Sequence, residues 1–220
     1  SYKLLGGSIG FYGSTLNTRQ YATKGYLEKL IAQVFTGRER FEPGNPQEGY
    51  SPSPQERQSW LQISYMKEAY HTMGPKFTLG WMAEALYSSK NFSENYTATM
   101  MQAGEFAPTP HSKLMYNEAF RANQYVAAGI KPIYVLNDMF QFRTEFYGFT
   151  PIFPIKKNAL NKAYYGKAFS RFEYMGEVSV ICHLPFGAIS AYVNHYSSPR
   201  REWNVGMTIG WQLFNYRFVE

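Results

Sequence analysis

Gly6-Gly7-Ser8-Ile9-Gly10 satisfies G-x-S-x-G, the spacing of a nucleophile elbow, in which a serine sits on a sharp turn between a strand and a helix. Such a serine needs a base within hydrogen-bond reach and a third group to orient that base. Partners are scarce. The chain has one aspartate, Asp138, and four histidines, His71, His111, His183 and His195, no two of them at metal-ligand spacing on one element. Cys182 is the only cysteine, which excludes an intrachain disulfide and a cysteine zinc cluster. It falls at an apolar alternation position, where a small packed or lipid-facing side chain is expected rather than a nucleophile. No catalytic residue, metal or cofactor is expected in this chain.

The elements that would have to position these groups argue the same way. Ser8 lies inside an alternating run, with Leu5, Gly7, Ile9 and Phe11 on one side and Gly6, Ser8, Gly10 and Tyr12 on the other, which predicts a strand rather than an elbow. The same period recurs along the chain. Val205, Met207, Ile209, Trp211 and Leu213 alternate with Asn204, Gly206, Thr208, Gly210 and Gln212. Phe140, Phe142 and Phe146 alternate with Gln141, Arg143 and Glu145; Val178, Val180, Cys182 and Leu184 alternate with Glu177, Ser179 and His183; Ile189, Ala191 and Val193 alternate with Ser190, Tyr192 and Asn194. Segment 77–85 alternates likewise, and 26–37, 59–71 and 164–172 are strand-like with more noise. Nine strands result, with 96–106 as a candidate tenth. Glu84, Arg143, Glu145 and Glu177 sit on the non-apolar face, which meets water in a soluble sandwich and lines the lumen in a membrane barrel. Alternation alone leaves both open.

Connection lengths favour the barrel. With the last strand directed towards the periplasm, 197–203, 173–176, 89–138 and 38–58 fall outside, while Pro185-Phe186-Gly187, 150–163, 72–76 and 17–25 fall inside. Short turns and long loops then mostly alternate sides, as in outer-membrane barrels, with 150–163 as the long exception. An odd number of strands cannot close a bacterial single-chain barrel, so strands from elsewhere are expected to complete it. Ser1-Tyr2-Lys3-Leu4-Leu5 runs into strand-like sequence without a signal peptide, and the chain is expected to be the later part of a longer one.

Composition is compatible. Aromatic residues make up 18% and charged residues 17% of the 220, with a mean hydropathy of −0.40 and no run of ~20 apolar residues that could form a transmembrane helix. The net charge of +6 is scattered rather than gathered in a stripe, so nucleic acid is not an expected partner.

Several motifs resemble one family. Asn17-Thr18-Arg19-Gln20-Tyr21-Ala22-Thr23-Lys24-Gly25, with Thr23, Lys24 and Gly25 as its turn motif, is similar to a turn of the bacterial surface antigen superfamily, with Ala22 where the family has proline. Phe120-Arg121-Ala122-Asn123-Gln124-Tyr125 falls where those barrels carry a long sixth extracellular loop that folds back into the lumen, with Ala122 in place of the signature glycine. Gly176 to Ser190 looks like the family's penultimate hairpin, and Asn204 to Phe214 its closing strand. Pro108-Thr109-Pro110-His111-Ser112-Lys113 and the Phe120 segment most resemble the barrels of Bacteroidetes patatin-like phospholipases.

The resemblance implies an all-β fold: an antiparallel transmembrane β-barrel in which residues 1–220 supply the C-terminal ~9–10 of 16 strands, with 89–138 as the lumen loop. It implies an outer-membrane location, with membrane lipids and the upstream strands and domains of the same protein as partners, and leaves homodimerisation open. The chain would anchor, and could help translocate, an upstream patatin-type lipid acyl hydrolase. Patatin enzymes pair their serine with an aspartate in Asp-Gly, whereas Asp138 precedes Met139. Arg121 would hold the loop in the lumen, with Glu145 and Glu177 as partners. The alternatives are a barrel for outer-membrane protein assembly or secretion, and a soluble all-β carbohydrate-binding domain whose Trp and Tyr stack on sugars.

Overall fold

The computed structural model of the chain describes residues 2–39, 56–185, 187–197 and 203–211. Its elements are β1 (Tyr2–Ser14), β2 (Gly25–Glu39), β3 (Glu56–Thr72), β4 (Phe77–Ser88), α1 (Tyr96–Gln102), β5 (Gly104–Glu105), β6 (Arg121–Ala122), β7 (Gln124–Val135), β8 (Phe140–Pro151), β9 (Ile155–Lys157), β10 (Ala163–Tyr165), β11 (Glu173–Leu184), β12 (Gly187–Tyr196) and β13 (Trp203–Trp211). Nine of the strands form one antiparallel sheet in the order β1-β2-β3-β4-β7-β8-β11-β12-β13, so each pairs with the next along the chain. The small pairs β5–β6 and β9–β10 lie within connections. Among the described residues, β1 and β13 are the sheet's two edges. The expected strand content of Gln212 to Phe214 lies outside the described residues.

Which strands make up the nine differs from expectation. Gln124–Val135, expected as loop, is the full strand β7. It shows little polar alternation because Tyr125, Ala127 and Ile133 of its inner face are apolar and buried, with Lys131 as the buried charged member. Pro132 lacks an N–H, and β7 and β8 are unpaired at Lys131 and Pro132 without losing register, since Ile130 faces Phe146 and Ile133 faces Arg143. Conversely, 164–172 is no sheet strand: only Tyr164 and Tyr165 fall in β10, which pairs with β9 alone. Segment 96–106 is not a tenth strand. It holds α1, begun by Asn95, whose side chain accepts from the Ala98 N–H at 2.7 Å.

These corrections remove the exception in loop length. Connections 15–24, 73–76, 136–139 and 185–186 share one end of the sheet and are short. Connections 40–55, 89–123, 152–172 and 197–202 share the other and are mostly longer. The lumen-loop candidate shortens from 89–138 to 89–123.

The sheet is strongly curled. Seven strand spacings separate β1 from β12, about 34 Å if flat. Yet Tyr21, in the connection after β1, donates to Ser190 Oγ of β12 at 2.8 Å. Glycines facing rings help the strands to bend. Gly6, Gly80, Gly129 and Gly206 lie in register with Phe35, Tyr70, Tyr147 and Tyr192 of the adjacent strand, and each of those rings occupies the space a Cβ would take. At Gly129 an added Cβ would also come within 2.7 Å of the Phe146 carbonyl oxygen. Gly129→Val should therefore cost about 1–3 kcal/mol by overpacking. The outward-facing control Ala191→Val should stay within ~0.5 kcal/mol. Equal urea midpoints for the two variants would refute this.

The polarity of the sheet is inverted relative to a soluble one. On β8, Gln141, Arg143, Glu145 and Tyr147 are buried, while Phe140, Phe142 and Phe146 are exposed. On β11, Glu177 and Ser179 are buried while Val178 and Val180 are exposed. The concave side is filled by 89–123, whose Phe106 and Phe120 pack against Leu86, Tyr125, Tyr147, Phe149, Met175 and Tyr196.

Candidate functional site

Two connections enter the concave side from opposite ends and meet. From the long-loop end comes a tight turn at Thr109-Pro110-His111-Ser112. Thr109 N–H donates to Ser112 Oγ at 3.0 Å and Ser112 N–H to Thr109 Oγ1 at 3.1 Å, a reciprocal closure akin to a capping box. Pro110 pre-sets its own backbone, and His111 follows in the right-handed helical region. The imidazole is thus fixed at the loop's tip, fully buried.

From the other end comes 17–25. Asn17 Oδ1 accepts from the Thr23 and Lys24 N–H groups at 2.9 and 3.0 Å, and Asn17 Nδ2 donates to Thr23 Oγ1 at 3.0 Å. Gly25 starts β2 at φ +88°, where a Cβ would run into the Thr15 carbonyl. Thr23, Lys24 and Gly25 therefore shape this turn and present Tyr21 and Ala22 to the inner wall. Arg143 Nη1 donates to the Ala22 carbonyl at 2.9 Å, and Gln141 Nε2 to the Tyr21 carbonyl at 3.0 Å. Burial pushes the Tyr21 phenol upward in pKa, so it remains a donor at neutral pH.

At the meeting point, His111 Nδ1 lies 2.8 Å from Glu177 Oε1, and His111 Nε2 lies 3.1 Å from Ser190 Oγ and 3.4 Å from the Tyr21 hydroxyl. Glu177 Oε2 also accepts from Thr109 Oγ1 at 3.2 Å and from Asn194 Nδ2 at 3.4 Å. Tyr192 stacks on the imidazole, with centroids 3.5 Å apart and planes 14° apart. An imidazole protonated on Nδ1 satisfies one continuous chain, Tyr21 to Ser190 to His111 to Glu177, each donating to the next.

Ser190, His111 and Glu177 thus hold the bond pattern of a serine–histidine–carboxylate relay. Attack on a carbonyl needs space beside the serine oxygen, and here that oxygen is about 1% exposed at residue level and already accepts from Tyr21. The base also rides on the loop that closes the site, so opening the loop dismantles the relay. The arrangement acts as a latch. Ser8, by contrast, sits mid-strand in β1 opposite Gln33, far along the sheet from Asp138 in the β7–β8 turn.

The pairing expected for Arg121 does not form. Arg121 pairs with Glu105 and donates to the carbonyls of Met100, Met101 and Ala103 at 3.4, 3.1 and 3.2 Å. It clasps the C-terminal end of α1, where exposed carbonyls favour a cation, and so knits the loop to itself. Burial pushes the Glu105 carboxyl up in pKa, against the pull of Arg121. Glu145 is taken by Arg143, at 2.8 Å, and accepts from the Tyr147 hydroxyl at 2.5 Å. Glu177 is taken by His111. Lys131 Nζ completes the inner wall with Glu68 at 2.7 Å.

His111, Ser190, Tyr21 and Arg143 were not foreseen as site residues. Ser190 and Arg143 carried a usable signal as polar members of alternating strands. His111 carried only its Thr-Pro-His-Ser turn. Comparisons with known family models, with curated proteins and with solved structures find no match for the chain.

Proposed function

We propose that this chain is the C-terminal part of an outer-membrane β-barrel, which anchors an upstream patatin-like phospholipase domain. The observation that carries the reading is the inverted polarity: ion pairs and amides on the concave face, exposed aliphatic and aromatic side chains on the convex face. In water that distribution is unfavourable by ~25 cal/mol for each Å² of apolar surface left exposed, and lipid removes the penalty. Phe77 and Tyr87, both exposed, mark opposite ends of β4. Ten residues at a barrel strand's ~40° tilt rise about 25 Å, the height of an apolar membrane band with its aromatic girdles. Among the described residues the outer edges of β1 and β13 have no strand partner, and in lipid strands elsewhere in the protein would supply one.

The patatin assignment rests on the sequence resemblance of 108–113 and 120–127. Anchoring is favoured over conduction by the packed loop, which fills the concave side. The test is extraction of the full-length protein from cell envelopes. Partition with the outer membrane and a requirement for detergent are expected. A protein that stays monodisperse without detergent would overturn the reading.

A further inference from the structure

We infer that a row of three cations on the convex face, Lys3, Arg38 and Arg57, binds the phosphate of an outer-leaflet glycolipid, a lipopolysaccharide, whose acyl chains lie along the aliphatic wall beside it. The inference rests on the barrel reading, with the long connections outside, and adds a specific ligand to it.

Strand register brings the three together. Lys3 of β1 faces Arg38 of β2, and Arg38 faces Arg57 of β3. Their side of the sheet follows from their neighbours. Gly6, Phe35 and Trp60 form an inner row, in which the Phe35 and Trp60 rings stack with centroids 4.9 Å apart and Trp60 is buried. Each cation stands three residues from a member of that row, and strand residues alternate faces, so the cations belong to the convex side. All three are exposed, and none makes an ion pair among the described residues. The row spans two strand spacings, about 10 Å. Like charges directly opposite each other on neighbouring strands are destabilising. A bound anion removes that cost, and the forked N–H donors of arginine match phosphate oxygens.

The surroundings select a lipid anion. In the next row of the same face, Leu5 faces Thr36 and Thr36 faces Ser59, with the two hydroxyls 2.8 Å apart. Further along, Ile9, Val34, Leu61 and Ile63 are exposed, and a Cβ added at Gly7 would meet nothing within 4 Å. The order is cation, hydroxyl, hydrocarbon, which matches a glycolipid read from its phosphate through its sugar to its acyl chains. Height agrees with this order. Tyr87 stands ten residues along β4 from Phe77, whereas Lys3, Arg38 and Arg57 stand about 11, 13 and 15 residues from the short-connection ends of β1, β2 and β3. At a barrel strand's ~40° tilt the cations rise roughly 3–13 Å beyond the level of Tyr87, above the apolar band. In an outer membrane the leaflet at that end is lipopolysaccharide, whose glucosamine phosphates lie in that layer.

The test titrates the full-length protein in detergent with fluorescently labelled lipopolysaccharide, read by anisotropy, and with the same glycolipid stripped of its phosphates. The wild type should bind the phosphorylated form and lose most of its affinity for the stripped one. The combined Lys3→Gln, Arg38→Gln and Arg57→Gln variant should bind the phosphorylated form more weakly by a factor on the order of 100, about fivefold for each cation. The combined Lys156→Gln, Lys157→Gln and Lys167→Gln variant removes the same charge from connection 152–172 and should keep the wild-type affinity. Without glycolipid, the first variant should unfold at the wild-type temperature or above it, because the repulsion along the row is gone. Equal affinity of the wild type for the two glycolipids overturns the inference and leaves the barrel reading standing. So does equal weakening by the two variants, or binding of phosphatidylglycerol as tight as that of lipopolysaccharide. A full-length protein that stays monodisperse without detergent removes the barrel reading itself.

Discussion

Replacing His111 by alanine should destabilise the protein by about 3 kcal/mol, because the buried Glu177 carboxylate loses the imidazole N–H that donates to it. Glu177 is about 3% exposed, and its Oε1 is held by His111. Without the imidazole that oxygen stays buried with no donor, and Tyr192 loses its stacking partner. Among the described residues, Thr109 is then the one side chain at the tip of 89–123 that still hydrogen-bonds β11. The thermal unfolding midpoint of the full-length protein in detergent should fall, and 89–123 should become sensitive to protease. Adding Glu177→Gln should recover part of the loss, since a buried amide is less costly than a stranded carboxylate. A loss below ~1 kcal/mol with unchanged proteolysis would mean that His111 does not secure the loop.

Arg143→Met should cost ~3–5 kcal/mol and should loosen the opposite end. Arg143 is bound twice: to Glu145 at 2.8 Å and to the Ala22 carbonyl at 2.9 Å. Its loss strands a buried carboxylate and frees the 17–25 connection. Trypsin should then cut at Arg19 or Lys24 faster than in the wild type. The double variant Arg143→Met with Glu145→Gln should regain much of the stability and keep the faster cleavage, because neutralising the pair leaves the Ala22 carbonyl without its donor. If single and double variants were equally unstable, the ion pair would not be the source of the effect. The two variants are told apart by which end becomes open to protease.

Sequence legibility followed the environment of each face. Strands with polar inner faces were readable: Gln141, Arg143 and Glu145 on β8, Glu177 and Ser179 on β11, Ser190 and Asn194 on β12. β7 is not readable because Tyr125, Ala127 and Ile133 pack against the two connections and Lys131 alone joins the polar wall, which leaves no period of two in polarity. The strand-like look of 164–172 arose from residues that belong to a connection, and the two errors compensated in the count. The family resemblance places Arg121 at the inner wall, and charge alone does not say whether a loop arginine binds across or within its own loop. Three carbonyls at the end of α1 decided that, and their convergence depends on a seven-residue helix whose one visible start signal was Asn95. His111 needed two distant strands and a turn to become a site, and no local pattern records such a meeting.

The bond between Tyr21 and Ser190 ties together two connections that come from opposite ends of the sheet. Ser190 also serves His111, so one hydroxyl on β12 is shared by segments arriving from the two ends of the sheet. If either segment withdraws alone, it leaves a buried polar group of the other with one partner fewer. The molecule therefore behaves as a door bolted from both sides into a single socket, and its two ends are energetically coupled across the full length of the strands.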